Sequence, residues 1–422
     1  MDNITHTIVG TLIGEAAARV APAGRSTLPA TTRRNMCVTL AAIGSNLPDT
    51  DLLYSFFGGK LNYLLHHRGH THTILIALLL GAAVLAITRW WLRRRGLQAS
   101  SQDYALLAGV LLFTPLLHIA MDFTNNYGVH PFWPLDNRWF YGDSVFIIEP
   151  LLWAACAPLA FIFKTRVARF AVLMLMAAAI ALAFFSGMVP PGLAAAYALL
   201  VAGMLLIGQR ASNDVALAAA VTMWLGVTAM FVFSAQVARA RVDAIVAHQF
   251  PASTQLDRIV TPMPVNPACW EVKLLQKEGH NAVLRRAMLT LAPSWLSAER
   301  CPTRSLDSEV TAPLVPVPAA DSAQLKWYGQ TSTPIERLAE LAASNCQAAG
   351  ALRFIRLPWL ANVGGKLVLG DLRYDNEPEL GFAEIEIDGS SACPRFVPKW
   401  IEPRRDLLEH RPVQAHSPGS QP

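Results

Sequence analysis

Long apolar runs joined by short polar connections fill the first 236 positions of the chain, and no comparable run follows them. Six stretches (73–92, 105–122, 145–163, 168–189, 192–208 and 215–236) approach the roughly 20 residues a helix needs to cross a bilayer. Two earlier stretches, 4–20 and 35–50, are shorter and carry Glu15, Arg19 and Asn46. They predict tilted or half-buried helices packed against the others. From "ARARVDAIVAHQF" onward prolines and charges recur. There "PIERLAELAASNCQAAG" (334–350) reads as an amphipathic helix ended by Gly350. "GGKLVLGDLRY" (364–374) and "FAEIEIDG" (382–389) read as strands, the second running into a turn at Asp388–Gly389. "PMPVNPACWEV" suits a lid or an extended linker. The expected fold is mainly α: a polytopic helical membrane domain (1–236), a small α+β soluble domain (237–408) and a disordered tail (409–422).

Composition strengthens this division. Of 422 residues, 53% are hydrophobic and only 15% charged, with a mean hydropathy of +0.33, where a soluble chain carries about 25% charged residues. The opening "MDNITHTIVG" lacks a basic n-region and a small-residue cleavage site, so no removable signal peptide is expected. The net charge of +5 reflects topology rather than nucleic-acid affinity, because the basic residues flank apolar runs. "RWWLRRRG" (89–96), "KTRVAR" (164–169), Arg210 and the first connection, with Arg19, Arg25, Arg33 and Arg34, all fall on one side if eight segments alternate. By the positive-inside rule that side is cytoplasmic. Both termini, and the soluble domain, then lie outside. Cys37 and Cys156 fall in membrane segments, whereas Cys269, Cys301, Cys346 and Cys393 lie in the tail. An even set in an oxidising compartment predicts two disulfides, with three pairings open.

The same topology gathers the costly polar residues on the outer face. His6 opens the first segment, Asp49 and Asp51 of "SNLPDTDLL" follow the second, "HHRGHTH" (66–72) precedes the third, and His118 and Asp122 close the fourth. Imidazole nitrogens and carboxylate oxygens are ligands for zinc and similar divalent ions. His118 and Asp122, four residues apart, share a helix face. His67 and His72 can meet one site only if the chain turns between them, which Gly69 permits. Counting His6, the supply exceeds one tetrahedral site and suits a two-metal centre. Glu15 and Glu149 are further carboxylates in or near the membrane, a class that is functional by default, although a packing or helix-terminal role fits both. No internal repeat, P-loop, GxGxxG or nucleophile elbow is present.

"MDNITHTIVG", "NLPDTD", "HHRGHTH", "HIAMDFTNNYG" and "WPLDNRWFYGDSVFIIEP" resemble the YdjM-type family of bacterial inner-membrane, metal-dependent hydrolases. That family is grouped with zinc-dependent phospholipase C and single-strand nucleases. The resemblance covers about residues 1–165 in the family's motif order, and the tail is similar to that of its longer members. It implies His6, Asp49, Asp51, His67, His72, His118 and Asp122 as metal-site candidates. In the hydrolase hypothesis one aspartate of the 49/51 pair is a ligand and the other the general base, with Asp51 assigned to the metal and Asp49 to catalysis, and Arg68 stabilises the developing phosphate charge. Thr71 would be a neighbour, and Asn125, Tyr127 and Gly128 would line the substrate loop. His70 departs from the pattern, where an apolar residue is expected, and ranks below His67 and His72, with His66 between.

The function this predicts is metal-assisted hydrolysis of a phosphoester, on a lipid or another membrane-associated molecule, at the outer face of the inner membrane. The ion is zinc first, with manganese or iron as alternatives. The expected partners are the lipid bilayer and a lipid or phosphoester substrate, with no nucleic acid and with the oligomeric state open. Two other readings keep the same residues. One is a transporter or assembly factor coupling ions or protons through the polar cluster, which the lack of an inverted repeat disfavours. The other is a metal serving only as a structural staple.

Overall fold

The computed structural model describes residues 1–21, 24–56, 59–303, 306, 309–387 and 393–409. An antiparallel pair opens the chain, α1 (Asn3–Val20) and α2 (Ala30–Gly44). A run of 3-10 turns (Pro48–Phe56), α3 (Gly59–His66) and a short turn (His70–His72) lead into α4 (Ile74–Arg94) and α5 (Ser101–Phe123). After a long loop come α6 (Pro150–Ala155), α7 (Leu159–Ile162), α8 (Arg166–Phe185), α9 (Pro191–Arg210) and α10 (Asn213–Gln249). Among the described residues, α4, α5, α8, α9 and α10 are long and apolar enough to span a membrane. The protein is a multi-pass membrane protein.

Short polar side chains set where these helices begin. Asp2 accepts from the backbone of Ile4 and Thr5 at the start of α1, and Thr73, Thr165 and Ser212 cap α4, α8 and α10. Ser100 and Asp103 form a reciprocal capping box on α5. Basic residues collect at the end where α1 finishes and α5 begins. Arg19 meets Asp214 at 2.8 Å, Arg33 lies 3.9 Å from Asp103, and Arg34 pairs with the buried Glu15 while donating to the carbonyl of Ile162 at 3.2 Å. Glu15 is thus a packing partner inside the bundle.

Two expectations change. The stretch 145–163 is not a continuous span. Glu149 and Pro150 start α6 only at 150, and Pro158, with no N–H to give, separates α6 from α7, so α6 and α7 together fall short of the bilayer thickness. The last helix also runs past 236 to Gln249, because Ala235, Ala238, Val242 and Val246 continue its buried stripe.

The C-terminal region holds two antiparallel sheets. The first is a meander of β1 (Thr254–Met263), β2 (Asn266–Glu278), β3 (Asn281–Thr290) and β4 (Leu325–Pro334). Then follow α11 (Ile335–Ser344) and α12 (Cys346–Ala351), separated where Asn345 turns extended and caps the second helix. The second sheet is β5 (Pro358–Val363), β6 (Lys366–Asp371) and β7 (Glu384–Ile387), and α13 (Arg405–Leu408) closes the described chain. The turn expected at Asp388–Gly389 and the tail from 410 lie outside the described residues. Disulfides join Cys269 to Cys301 and Cys346 to Cys393, while Cys37 and Cys156 are free and buried.

"PMPVNPACWEV" is neither lid nor linker: it forms the β1–β2 hairpin, whose tip residue Val265 has a φ of 59°. The Glu149 carboxylate accepts from the backbone N–H of Val265 (3.2 Å) and of Leu151 (3.0 Å), fastening the hairpin to the membrane domain. Further along, Arg356 bridges Asp143 and Asp257, and Trp400 donates to the carbonyl of Leu65 at 3.0 Å. The C-terminal region therefore sits on the end of the bundle opposite the basic residues.

Two predictions follow from this packing. A Cβ on Gly14 would lie 2.7 Å from the Cys37 carbonyl oxygen and the Val38 Cα, so Gly14→Ala should push α1 off α2 at a cost of about 1–3 kcal/mol. That cost appears as a lower Tm in detergent, and an unchanged Tm would show that the helices separate freely. Burial pushes Glu149 up to about 8, against the pull of its two backbone donors. The folded chain thus prefers the acid form while the unfolded chain ionises near its ordinary value, and stability is lost as pH rises between the two values. Glu149→Gln keeps an acceptor without the proton. Its Tm should gain on wild type from about pH 5 to about pH 8, whereas a constant difference would mean that the carboxyl group ionises freely.

Candidate metal centre

The 3-10 turns after α2 place Asp49 and Asp51, the loop from α3 to α4 places His67, Arg68 and His72, and the last turn of α5 places His118 and Asp122. All these side chains except that of His67, which is partly open, are buried. His72 Nε2 and His118 Nε2 face each other at 3.1 Å. Each imidazole directs its other nitrogen to an acceptor. His118 Nδ1 donates to the carbonyl of Ser45 at 2.6 Å, and His72 Nδ1 lies 3.1 Å from Asp51 Oδ2. Both Nε2 atoms thereby turn their lone pairs to the same point, a repulsive arrangement unless a cation lies between them.

Two carboxylate oxygens complete the set. Asp122 Oδ2 is 3.2 and 3.3 Å from the two Nε2 atoms, and Asp49 Oδ1 is 3.4 and 3.6 Å from them. Asp122 Oδ2 is buried and has no hydrogen-bond partner. A tetrahedral zinc site with bonds of about 2.0–2.1 Å holds its ligand atoms roughly 3.4 Å apart. The residues present fit a divalent cation. Asp49, Asp51 and His67 form a second group whose ligand atoms lie within 4.8 Å of one another. That group fits less well, because Asp51 already takes His67 Nδ1 (3.1 Å), the Arg68 backbone N–H (2.8 Å) and the Thr71 hydroxyl (2.9 Å) in addition to His72.

The electrostatics outside the spanning helices agree. Burial alone would raise the carboxyl groups of Asp49 and Asp51, but the facing histidines outweigh it and hold both below the usual carboxylate range. Burial likewise opposes a proton on His72, yet Asp51, Asp122 and Asp49 outweigh it and push this imidazole well above its ordinary value. A cation bound there would displace that proton. Burial holds His67 below the ordinary value against the pull of Asp51, so this ring is neutral.

Each remaining candidate has a definite place. His6 Nε2 lies 3.2 Å from Asp122 Oδ1, and its ring stacks on His118 at 3.6 Å. Arg68 reaches Asp122 Oδ1 at 3.0 Å and Asn125 Oδ1 at 2.8 Å, and the Met1 amino group also pairs with Asp122. Arg68 has a φ of 57°, held by its N–H on Asp51 and its carbonyl on His130. Gly128, with a φ of 95°, leaves space filled by Tyr141 and Trp139 and serves the loop's tight turn. His70 stands outside the cluster against Trp133 and Trp400, and His66 Nε2 meets the carbonyl of Phe396.

Three contributors escaped the sequence reading. His130 is clamped between the rings of Trp139 and Trp400, with its pKa pushed down to about 3 by burial. A lone histidine before proline carries no pattern that would reveal this. Tyr63 stacks on His67 at 4.8 Å, and its spacing of four residues on α3 was a legible signal. Tyr374 comes from the C-terminal region, close to Tyr127 (6.1 Å between rings), and no local pattern could place it there.

Residues 1–189, just under half of the chain, match the family described as YdjM inner membrane protein. Neither the curated proteins nor the solved structures give a significant match.

The ligand set predicts metal content directly. Detergent-purified protein should hold about one equivalent of zinc or a similar ion by plasma mass spectrometry, and His118→Ala should lose nearly all of it. His70→Ala should retain it. Equal metal in wild type and His118→Ala would place the ion elsewhere.

Proposed function

We propose that this protein is a metal-dependent hydrolase of a phosphoester presented at the outer face of the inner membrane. The observation that carries the reading is the set of five spacings, from 3.1 to 3.6 Å, joining His72 Nε2, His118 Nε2, Asp49 Oδ1 and Asp122 Oδ2. These four residues would hold the ion. Once bound, a divalent cation supplies activation of water near neutral pH and withdrawal of charge from a phosphoryl oxygen.

The chain's own groups divide the other tasks. Asp51 and the Ser45 carbonyl fix the tautomers of His72 and His118. His67 is neutral, partly open and held at Nδ1 by Asp51, so it takes the proton of the attacking water in this reading. Asp49 then belongs to the ligand set rather than acting as the base. Arg68 is anchored on Asp122, with its Nε atom unpartnered, and faces the phosphoryl charge. The transport reading lacks similar support, because Glu15 is closed by Arg34 and Glu149 by two backbone N–H groups. The basic residues at the opposite end of the bundle support a cytoplasmic position for that end, and in this reading the C-terminal domain lies outside.

The test is release of phosphate or phosphomonoester from short-chain phospholipids and from bis(4-nitrophenyl) phosphate by the full-length protein. Chelation should abolish turnover. His67→Gln should lower kcat by about 10²–10⁴-fold while metal content is kept. Metal-loaded wild type that cleaves neither probe would refute the hydrolase reading.

A further inference from the structure

Beside the ligand set lies a group of buried hydrogen-bonding atoms with no partner: Arg68 Nε, Asn125 Nδ2, and the hydroxyls of Tyr127 and Tyr374. They belong to one neighbourhood. The Arg68 guanidinium lies 4.7 Å over the Tyr127 ring. Asn125 Oδ1 accepts from Arg68 at 2.8 Å and from the Tyr127 N–H at 2.9 Å, which turns the amide nitrogen away from both. Tyr374 is 6.1 Å from Tyr127 between ring centres and within electrostatic reach of Arg68. Arg68 is 2% exposed, Asn125 2% and Tyr127 4%. Phe382, 37% exposed, and Tyr63 stand 5.6 Å apart on the solvent side, with Phe382 5.2 Å from Tyr374.

All four atoms are donors. Burial pushes the Tyr374 phenol up to about 12 and Tyr127 well above its ordinary value, so both keep their O–H at neutral pH. A buried donor without an acceptor is costly, and three of them around a guanidinium whose own Nε is also unpartnered match a ligand bearing several anionic oxygens. Arg373 donates to the carbonyls of Asn126 (2.9 Å) and Tyr127 (3.3 Å) and is itself paired with Asp371, so the chain after β6 is tied to the loop after α5.

We propose that Tyr374 of the C-terminal domain, with Tyr127, Asn125 and Arg68, seats the oxygens of the substrate's phosphoryl group, so that the domain completes the site instead of merely covering it. This names the substrate seat of the hydrolase reading and rests on it. The bound group sits beside His67 and the ion's ligands, its oxygens accepting from the two phenols, the amide and the free guanidinium N–H. Tyr374 determines binding of the phosphoryl group and holds no metal.

The experiment is calorimetric titration of inorganic phosphate and of dihexanoyl phosphatidic acid into the full-length protein, metal-loaded and chelator-treated. Tyr374→Phe should weaken both by about tenfold or more with metal content and Tm unchanged, and Tyr127→Phe should do the same. Tyr141→Phe removes a hydroxyl that is also buried and unpartnered but whose ring packs on Arg356, and it should leave affinity unchanged. Tighter binding of the lipid than of phosphate assigns the group to a lipid headgroup, and equal binding assigns it to a soluble phosphate; either bears the proposal out. Affinity within twofold of wild type in both phenylalanine variants, or no phosphate binding by wild type, overturns it. Wild type that takes up no added metal yet binds phosphate through Tyr374 would sink the hydrolase reading and leave the seat standing. Bound metal with phosphate affinity indifferent to Tyr374 would do the reverse.

Discussion

Two imidazole nitrogens facing each other at 3.1 Å, each with its lone pair turned to the same point, are the constraint on which the rest of this structure depends. Neither ring can turn away, because Ser45 holds one and Asp51 holds the other. Packing two buried carboxylates against them makes the arrangement tolerable only with a positive charge at its centre. Against its burial, the same carboxylates push the His72 imidazole well above its ordinary value. The spacing of the four atoms is that of a divalent cation's ligands.

Holding such a cluster near the end of a membrane bundle requires it to be shut off from both lipid and water. The pair α1 and α2 closes one side, with Gly10 and Gly14 allowing the backbones to approach and His6 reaching Asp122 from between them. The loop after α5 and the C-terminal domain close another, through Arg373 on the Asn126 carbonyl, Trp400 on the Leu65 carbonyl and His130 under Arg68. The first two of these contacts join residues more than 200 positions apart in sequence. The left-handed backbone of Arg68 is held by the same partners, a strained conformation of the kind that persists where surrounding structure over-determines it.

The carboxylates that a membrane makes expensive thus fall into two kinds. Glu15 and Glu149 are closed by an arginine and by backbone N–H groups, and their work is to join helices and domains. Asp49 and Asp122 face histidine nitrogens and leave acceptor capacity for an ion. Residue type alone does not separate the two kinds; their partners do.

Much of the architecture was legible in sequence, because lipid demands about 20 apolar residues per crossing and the runs at 73–92, 105–122, 168–189, 192–208 and 215–236 answer that demand. The gathering of His6, Asp49, Asp51, His67, His72, His118 and Asp122 at one end of the bundle was also readable, since alternating helices bring every second end together. Helical spacing went further and put His118 and Asp122 on one face of α5. Which atoms meet was not readable. That Asp49 completes the four-atom set while Asp51 orients His72, and that Cys269 pairs with Cys301, depends on loop conformation, which no periodicity encodes. Pro158 cut the stretch at 145–163 because hydropathy averages over a residue that breaks the helix. Tyr374 reaches the site only because Arg373 clamps two distant loops. The membrane's solvent chemistry wrote the helices and the polar face into the sequence, whereas the positions of individual donors and acceptors were decided by tertiary contacts between segments that share no local pattern.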